Sequence, residues 1–370
     1  MKFYLQYVLF SCIIWLCVQD IVSCFLYKSR RTARQARYPP SPKLCCTLAE
    51  DEVHAISPEY KLNTRSSSYV TTQYPPKLVQ ANASVSLPSI LYSNETRKGA
   101  RRSGKTPFPA ECGRSQVPFR RIVGGQESVI GAWPWMAIIY YVRRRGTSAE
   151  CGGVLITKKH VLTAAHCIVS SRRGTTMRPR QLRVRLGDYD LTTDADGATP
   201  VDVEIESVIK YKGFDLRTFQ NDVAILLLKT EVVFDKHVFP ICLPFDAFIG
   251  EDLANRNAFA AGWGTVSYGG PASPKLQEVQ LRIWENPRCE VVFKKDVPIT
   301  QANLCAGDGD KDACRGDSGG PLMLASSDGR FYLIGIVSFG KKCAEPGIPG
   351  VYTRVTNFID WIESNVETTM

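Results

Sequence analysis

The chain has 370 residues, of which 44% are hydrophobic and 22% charged, a globular composition that excludes wholesale disorder. After residue 26 no apolar run reaches the roughly 20 residues that a bilayer span needs, so a multi-pass membrane protein is excluded. The net charge of +10 is unevenly placed: residues 1–121 hold 18 basic against 7 acidic residues, and residues 122–370 hold 28 against 29. The basicity therefore belongs to the first third, and with no nucleic-acid motif present a nucleic-acid partner is not expected.

Residues 3–18 are mostly apolar, with Lys2 ahead of them and Asp20 closing the run. Residues 1–24 read as a secretory signal peptide. Lys28, Arg30, Arg31, Arg34 and Arg37 follow closely, which leaves a signal anchor as the alternative, although the run is short for a span. Residues 25–121 read as a pro-segment, rich in Ser, Thr and Pro and without a long apolar period. Asn82-Ala83-Ser84 and Asn94-Glu95-Thr96 are glycosylation sequons within it.

From residue 122 short β-branched and apolar runs recur between Gly, Pro and Asp breaks. They are Met136–Val142, Gly153–Ile156, Leu182–Leu186, Val203–Ile209, Val223–Leu228, Ala258–Ala261, Leu276–Ile283, Phe331–Val337 and Val351–Val355. Many short strands with turn signals between them predict an all-β barrel or sandwich. Val355–Val366 has the spacing of a C-terminal helix packed on the body.

His166 ends one of these stretches in Thr163-Ala164-Ala165-His166-Cys167, where a lone His would more often be structural. Ser318 in Gly316-Asp317-Ser318-Gly319-Gly320-Pro321 changes that reading. A hydroxyl needs a base to become a nucleophile. Gly-flanked backbone can bring the amides of Gly316 and Ser318 onto one developing oxyanion. Asp222, ahead of a buried-looking strand, supplies a carboxylate to fix the imidazole tautomer. The order His166, Asp222, Ser318 is that of the chymotrypsin triad. Eight Cys lie between 112 and 343, an even number that suits disulfides in a secreted domain while leaving the pairing open.

On these strings residues 122–370 resemble the trypsin-like serine proteases of the chymotrypsin fold. Gly131–Met136, Arg185-Leu186-Gly187, Pro240–Pro244 and Phe331–Tyr352 look closest to the arthropod clotting and immune-cascade members. The resemblance implies two six-stranded antiparallel β-barrels, a C-terminal helix and a cleft between the barrels, preceded by a mostly disordered pro-segment. It implies activation by cleavage after Arg121, with the new Ile122 amino group pairing with Asp317; activity would then fail at high pH as that amine loses its proton. It places Asp312 at the floor of a substrate pocket lined by Ala313, Ser338, Gly340 and Gly350. Ala313 lacks a hydroxyl that would serve a Lys ammonium, so Arg is expected over Lys. Phe339 stands where Trp is common, and Arg315 stands at the pocket mouth. Pro349 replaces the Tyr of sodium-regulated relatives.

The same resemblance selects Cys151–Cys167, Cys289–Cys305, Cys314–Cys343 and Cys112–Cys242, the last tethering the light chain after activation. Cys45-Cys46 matches only the end of a clip domain, so a complete clip domain is not expected. Asp188, Asp194 and Asp196 form a candidate structural calcium loop, or a solvated acidic loop; no cofactor is required. Arg143-Arg144-Arg145 with Arg172, Arg173, Arg178 and Arg180 form a candidate exosite for an acidic substrate, inhibitor or polysaccharide, or a solvated surface. The expected protein is a secreted zymogen of a serine endopeptidase in an arthropod haemolymph cascade. Its expected partners are a protein substrate cut after Arg, an upstream trypsin-like activator and a serpin-type inhibitor, with no membrane partner. Alternatives are a venom or digestive protease, and an inactive homologue acting as a scaffold.

Overall fold

The computed structural model describes residues 107–117, 125–171, 174–245, 247–265, 270–307, 316–341 and 345–369. The signal segment, both sequons, Cys45-Cys46, the activation bond at Arg121-Ile122, and Arg172 and Arg173 lie outside the described residues. So do Asp312, Ala313, Cys314, Arg315 and Cys343.

The first barrel closes in the order β2 (Met136–Arg143), β3 (Gly146–Leu155), β4 (His160–Thr163), β7 (Ala224–Leu228), β6 (Val201–Lys210), β5 (Leu182–Leu186) and back to β2. Every pairing in it is antiparallel. In β5, Leu182, Val184 and Leu186 point inward and Arg183 points out, the period of a sheet with one wet face. All five residues of β7 are buried, because both its edges are paired and the second barrel packs on the first.

The second barrel runs β8 (Asn257–Gly262), β9 (Gln277–Trp284), β10 (Asn303–Ala306), β13 (Gly350–Arg354), β12 (Phe331–Phe339), β11 (Pro321–Ala325) and closes from β11 onto β8. A short strand, β1 (Gln126–Glu127), adds to the outer side of β9. These are the two six-stranded barrels that the resemblance implies. One apolar cluster crosses between them, with Trp133, Trp135, Leu226, Met323 and Phe331 among its members. Within it the Trp135 indole donates to Met323 Sδ at 2.9 Å.

Three of the barrel strands escape the sequence reading, as does the two-residue β1. β4 has only four residues, β10 carries Cys305, and β11 opens on Pro321 directly after the Gly-rich turn. The helix α1 (Asn286–Phe293) also escapes, because Cys289 and Phe293 are its only buried residues. The C-terminal helix is present. Val355–Phe358 form a 3-10 turn and α2 (Ile359–Thr369) continues it, burying Ile359, Ile362 and Val366. Among the described residues no helix is long and apolar enough to cross a membrane.

The segment 107–117 is bound to the second barrel's edge. Cys112 is disulfide-bonded to Cys242, the Gly113 amide donates to Pro240 O at 2.8 Å, and the Phe331 amide donates to Gly113 O at 2.8 Å. Gly113 has φ +65°, and a Cβ there would sit 2.3 Å from Phe331 O, so only glycine fits this approach. Glu278 anchors the chain that runs on from residue 125. Its buried carboxylate accepts from Gln126 Nε2, Ser128 Oγ and Trp133 Nε1 at 2.9, 2.8 and 2.7 Å.

His160, fully buried in β4, joins the first barrel to α2. One ring nitrogen meets Thr157 Oγ1 at 2.6 Å and the other meets Thr369 Oγ1 at 2.9 Å. Burial pushes its pKa down from 6.5 to about 4. The fold therefore favours the neutral ring. The stability this contributes is complete above pH ~6.5 and is lost as pH falls towards 4, amounting to about 3 kcal/mol at full protonation. His160→Gln is expected to flatten the pH dependence of the urea midpoint between pH ~6.5 and ~4 relative to the parent chain. Identical slopes for the two proteins would remove His160 as the acid-sensitive group.

Candidate active site

His166 sits in the 3-10 turn Ala165–Ile168 just after β4, and Asp222 precedes β7, the neighbour of β4. The pairing of these two strands sets the two residues side by side across 56 positions of sequence. Asp222 Oδ1 accepts the His166 backbone N–H at 2.8 Å, and Oδ2 faces His166 Nδ1 at 2.7 Å. The Ser338 hydroxyl, from β12 of the other barrel, donates to the same Oδ2 at 2.5 Å. Thr353 Oγ1, from β13, donates to the Asp222 carbonyl at 2.8 Å. Asp222 is fully buried, while His166 keeps 16% of its side chain open to solvent. A carboxylate can only accept, so Nδ1 carries the proton in the neutral ring and Nε2 is left with its lone pair toward the cleft.

The Ser318 turn meets His166 at the Cys151–Cys167 disulfide. The Gly152 amide donates to Ser318 O at 2.7 Å. Cys167 Sγ lies 3.7 Å from His166 Nε2 and 3.6 Å from Ser318 O. Gly319, at φ +81°, has no room for a side chain: a Cβ would stand 2.2 Å from Thr163 Oγ1 and 2.5 Å from Gly152 O. The Asp317 carboxylate turns the other way and accepts the Gly264 amide at 2.8 Å. Gly262 and Gly264 cradle it, since a Cβ on them would lie 2.0 and 2.4 Å from its oxygens. Gly316 has φ +103°, the left-handed region that glycine enters without strain.

A trypsin family model matches residues 122–362. Proclotting enzyme of Tachypleus tridentatus is 43% identical over 330 residues, spanning 88% of this chain and 79% of that one. Venom serine protease Bi-VSP of Bombus ignitus is 44% identical over 265 residues, 68% of this chain and 70% of its own. Phenoloxidase-activating factor 3 of Holotrichia diomphalia is 38% identical over 277 residues, 70% and 76% of the two chains. The chain belongs to the trypsin family. It is a serine endopeptidase, and proteases of this family need no cofactor.

In this trypsin-family chain the other expected site residues are spread over both barrels. Ser338 is buried and its hydroxyl is committed to Asp222, so what it offers the cleft is backbone. Gly340 lies exposed just past β12, and Gly350 is buried at the start of β13. Cys289–Cys305 joins α1 to β10. Around the acidic loop, Arg185 reaches Asp188 at 3.1 Å, Asp194 at 3.3 Å and Asp202 at 3.0 Å. Asp196 instead accepts the backbone amides of Asp190 and Ala198, both at 2.9 Å. The carboxylates of Asp188, Asp194 and Asp196 are not gathered at one point. The cluster Cys151, His166 and Cys167 has metal-like spacing, but its two sulfurs are joined to each other.

An aromatic wall beside His166 was not legible in the sequence. Phe219 makes a T-shaped ring contact with His166 at 5.4 Å between centroids, Phe339 lies 5.6 Å from Phe219, and Phe293 of α1 lies 5.8 Å from Phe339. Phe219 has φ +53° and Asn221 φ +57°, conformations that are uncommon for non-glycine residues and cluster at functional sites. Asn221 secures the loop by donating from Nδ2 to Gly213 O at 2.9 Å.

Thr353→Val keeps the shape of the side chain and strips the Asp222 carbonyl of its donor. The expected cost is about 1–3 kcal/mol in chemical denaturation. An unchanged midpoint would show that this bond does not hold Asp222.

Proposed function

We propose that the chain is a secreted zymogen whose protease domain, residues 122–370, cuts proteins after Arg and less well after Lys. Residues 1–24 are the signal peptide and 25–121 the light chain, with Asn82 and Asn94 glycosylated. Cleavage after Arg121 frees Ile122, whose amino group pairs with Asp317. The Cys112–Cys242 bond then keeps the light chain attached. The observation that carries the reading is the saturated Asp222 carboxylate behind His166, with the Ser318 turn fixed to Gly152 in front of it.

In this reading Ser318 Oγ attacks the scissile carbonyl and His166 Nε2 takes its proton. The carbonyl oxygen becomes an oxyanion held by the amides of Gly316 and Ser318. His166, now cationic and stabilised by Asp222, gives the proton to the leaving amine, and water repeats the cycle on the acyl-enzyme. Asp312 at the pocket floor pairs with the substrate guanidinium, between walls that include Ala313, Gly340 and Gly350.

The names of the relatives, a proclotting enzyme and a phenoloxidase-activating factor, support a place in an extracellular proteolytic cascade of arthropod type. Such a place calls for an upstream protease able to cut after Arg121 and a serpin-type inhibitor. The venom serine protease among the relatives favours venom as the second setting.

A fluorophosphonate is expected to label the chain only after limited trypsin cleavage, with a new N-terminus at Ile122, and Ser318→Ala is expected to abolish the label. Cleavage at Ile122 without labelling would replace the enzyme by a scaffold. Asp222→Asn should lower kcat by about 10⁴ with the fold intact, the scale that this substitution has in the chymotrypsin triad. Matched peptides should be cut faster after Arg than after Lys, and equal rates would refute the pocket assignment.

A further inference from the structure

The first barrel carries a second hollow outside the cleft, a groove of about 880 Å³. Arg143, Arg144, Arg178 and Arg180 line it, with Val142 and Met177 as its apolar part and Ser170, Thr175, Thr176 and Gln181 between them. The arginines are exposed but stand on ordered backbone. Arg143 pairs with Gly146 at the end of the β2–β3 hairpin. Arg178 is fixed by Gln181, whose side chain accepts the Arg178 amide at 2.9 Å and whose own amide donates to Arg178 O at 2.9 Å. Arg143 is neutralised by Glu150 at 2.8 Å. Among the described residues no carboxylate lies within ion-pair distance of Arg144, Arg178 or Arg180, and none lines the groove. The adjoining hollow, which shares Val142 and Arg180, is different: Glu204 and Glu206 line it, and Glu204 meets Lys229 at 2.7 Å.

The groove abuts the turn that carries His166. Ser170 is four residues beyond His166. Val169 bridges to Thr176, and the Met177 amide donates to Ile168 O at 2.8 Å. The Tyr141 hydroxyl, held protonated by a pKa that burial pushes up to about 12, donates to Cys167 O at 2.5 Å. The leaving amine receives its proton from His166, so the product chain that it heads departs past this turn.

We propose that this groove docks an acidic segment of the protein substrate, on the leaving-group side of the scissile bond. The inference rests on the role given to His166 under the proposed function. Guanidinium groups take carboxylates in pairs of hydrogen bonds, and the apolar residues between them suit the mixed side chains of a peptide. A substrate chain must pass this turn in any case, whereas a sulfated polysaccharide has no chemical reason to be brought there.

The test compares the activated, still-tethered protein with an Arg144→Gln/Arg178→Gln/Arg180→Gln variant. Two fluorogenic peptides share the residues up to the scissile Arg, one continuing into a Glu/Asp-rich stretch and the other into Ser and Gly. The acidic peptide is expected to have about tenfold higher kcat/KM, an advantage lost in the variant and in high salt. A short Arg amide without a peptide leaving group should be cut equally by both proteins. A labelled Glu/Asp-rich peptide lacking the scissile bond should bind the parent more tightly than the variant in fluorescence anisotropy, whether or not the protein is catalytically active. Binding without hydrolysis of any substrate would fault the catalytic reading and leave the groove standing. No preference and no difference in binding would overturn the proposal. So would variant-sensitive binding of heparin with no response to the acidic peptides, which would assign the groove to a sulfated polysaccharide.

Discussion

The carboxylate of Asp222 is the constraint on which the site depends. It is shut off from water, and an isolated buried carboxylate is costly unless each oxygen finds donors. The donors come from both barrels: the amide and ring of His166 from the first, the hydroxyl of Ser338 from the second. Thr353 then ties the backbone of Asp222 to the second barrel as well. The imidazole is therefore aimed by the fit of one barrel against the other. A shift of the interface by about an ångström would strip a buried charge of a partner, which couples the stability of the interface to that of the site.

Close backbone approach is the second constraint, and it explains where glycine is unavoidable. The turn carrying Ser318 is squeezed between Thr163 and Gly152 on one side and Gly262 and Gly264 on the other. Gly319 admits the first barrel, and Gly262 and Gly264 admit the Asp317 carboxylate. The turn cannot relax outward without losing the bond from Gly152 to Ser318 O. The Gly264 amide holds the Asp317 carboxylate on the far side of the turn from Gly152.

Much of this was legible in the sequence because local chemistry and the global fold agree. Leu182–Leu186 alternates as a strand with one wet face must, and its bounds match the structure. Val355–Val366 has helical spacing and is helical, although its first turn winds more tightly. His166, Asp222 and Ser318 stand out by the strings around them, since nothing in their spacing reveals that strands β4 and β7 are neighbours. The misses have physical causes. β11 starts at a Pro and reads as the tail of a turn, and β4 is too short for a period to show. Glu278 lies on the face of β9 opposite Leu281 and Ile283, which the alternation reads as outward, and it is buried where Gln126, Ser128 and Trp133 pack over it. Phe219 belongs to a loop, and its place beside His166 comes from a backbone conformation that no residue pattern announces.

Net charge was a poor guide to this surface for a related reason. Residues 122–370 come close to neutrality, with 28 basic and 29 acidic residues, but neutrality over a domain says nothing about where charges meet. The carboxylates are spent locally: Asp188, Asp194 and Asp202 on Arg185, Glu127 on Lys275, Glu204 on Lys229 and Glu150 on Arg143. Beyond the His166 turn there remains a set of guanidinium groups without a counterpart on the described surface. Salt screens such groups over about 8–10 Å, so their field is felt over the cleft's near end and hardly across the molecule. A short-range field of this kind cannot steer a distant partner well. Its effect is on a chain that the cleft already holds, and it discriminates between substrates by the residues on the leaving-group side of the scissile bond.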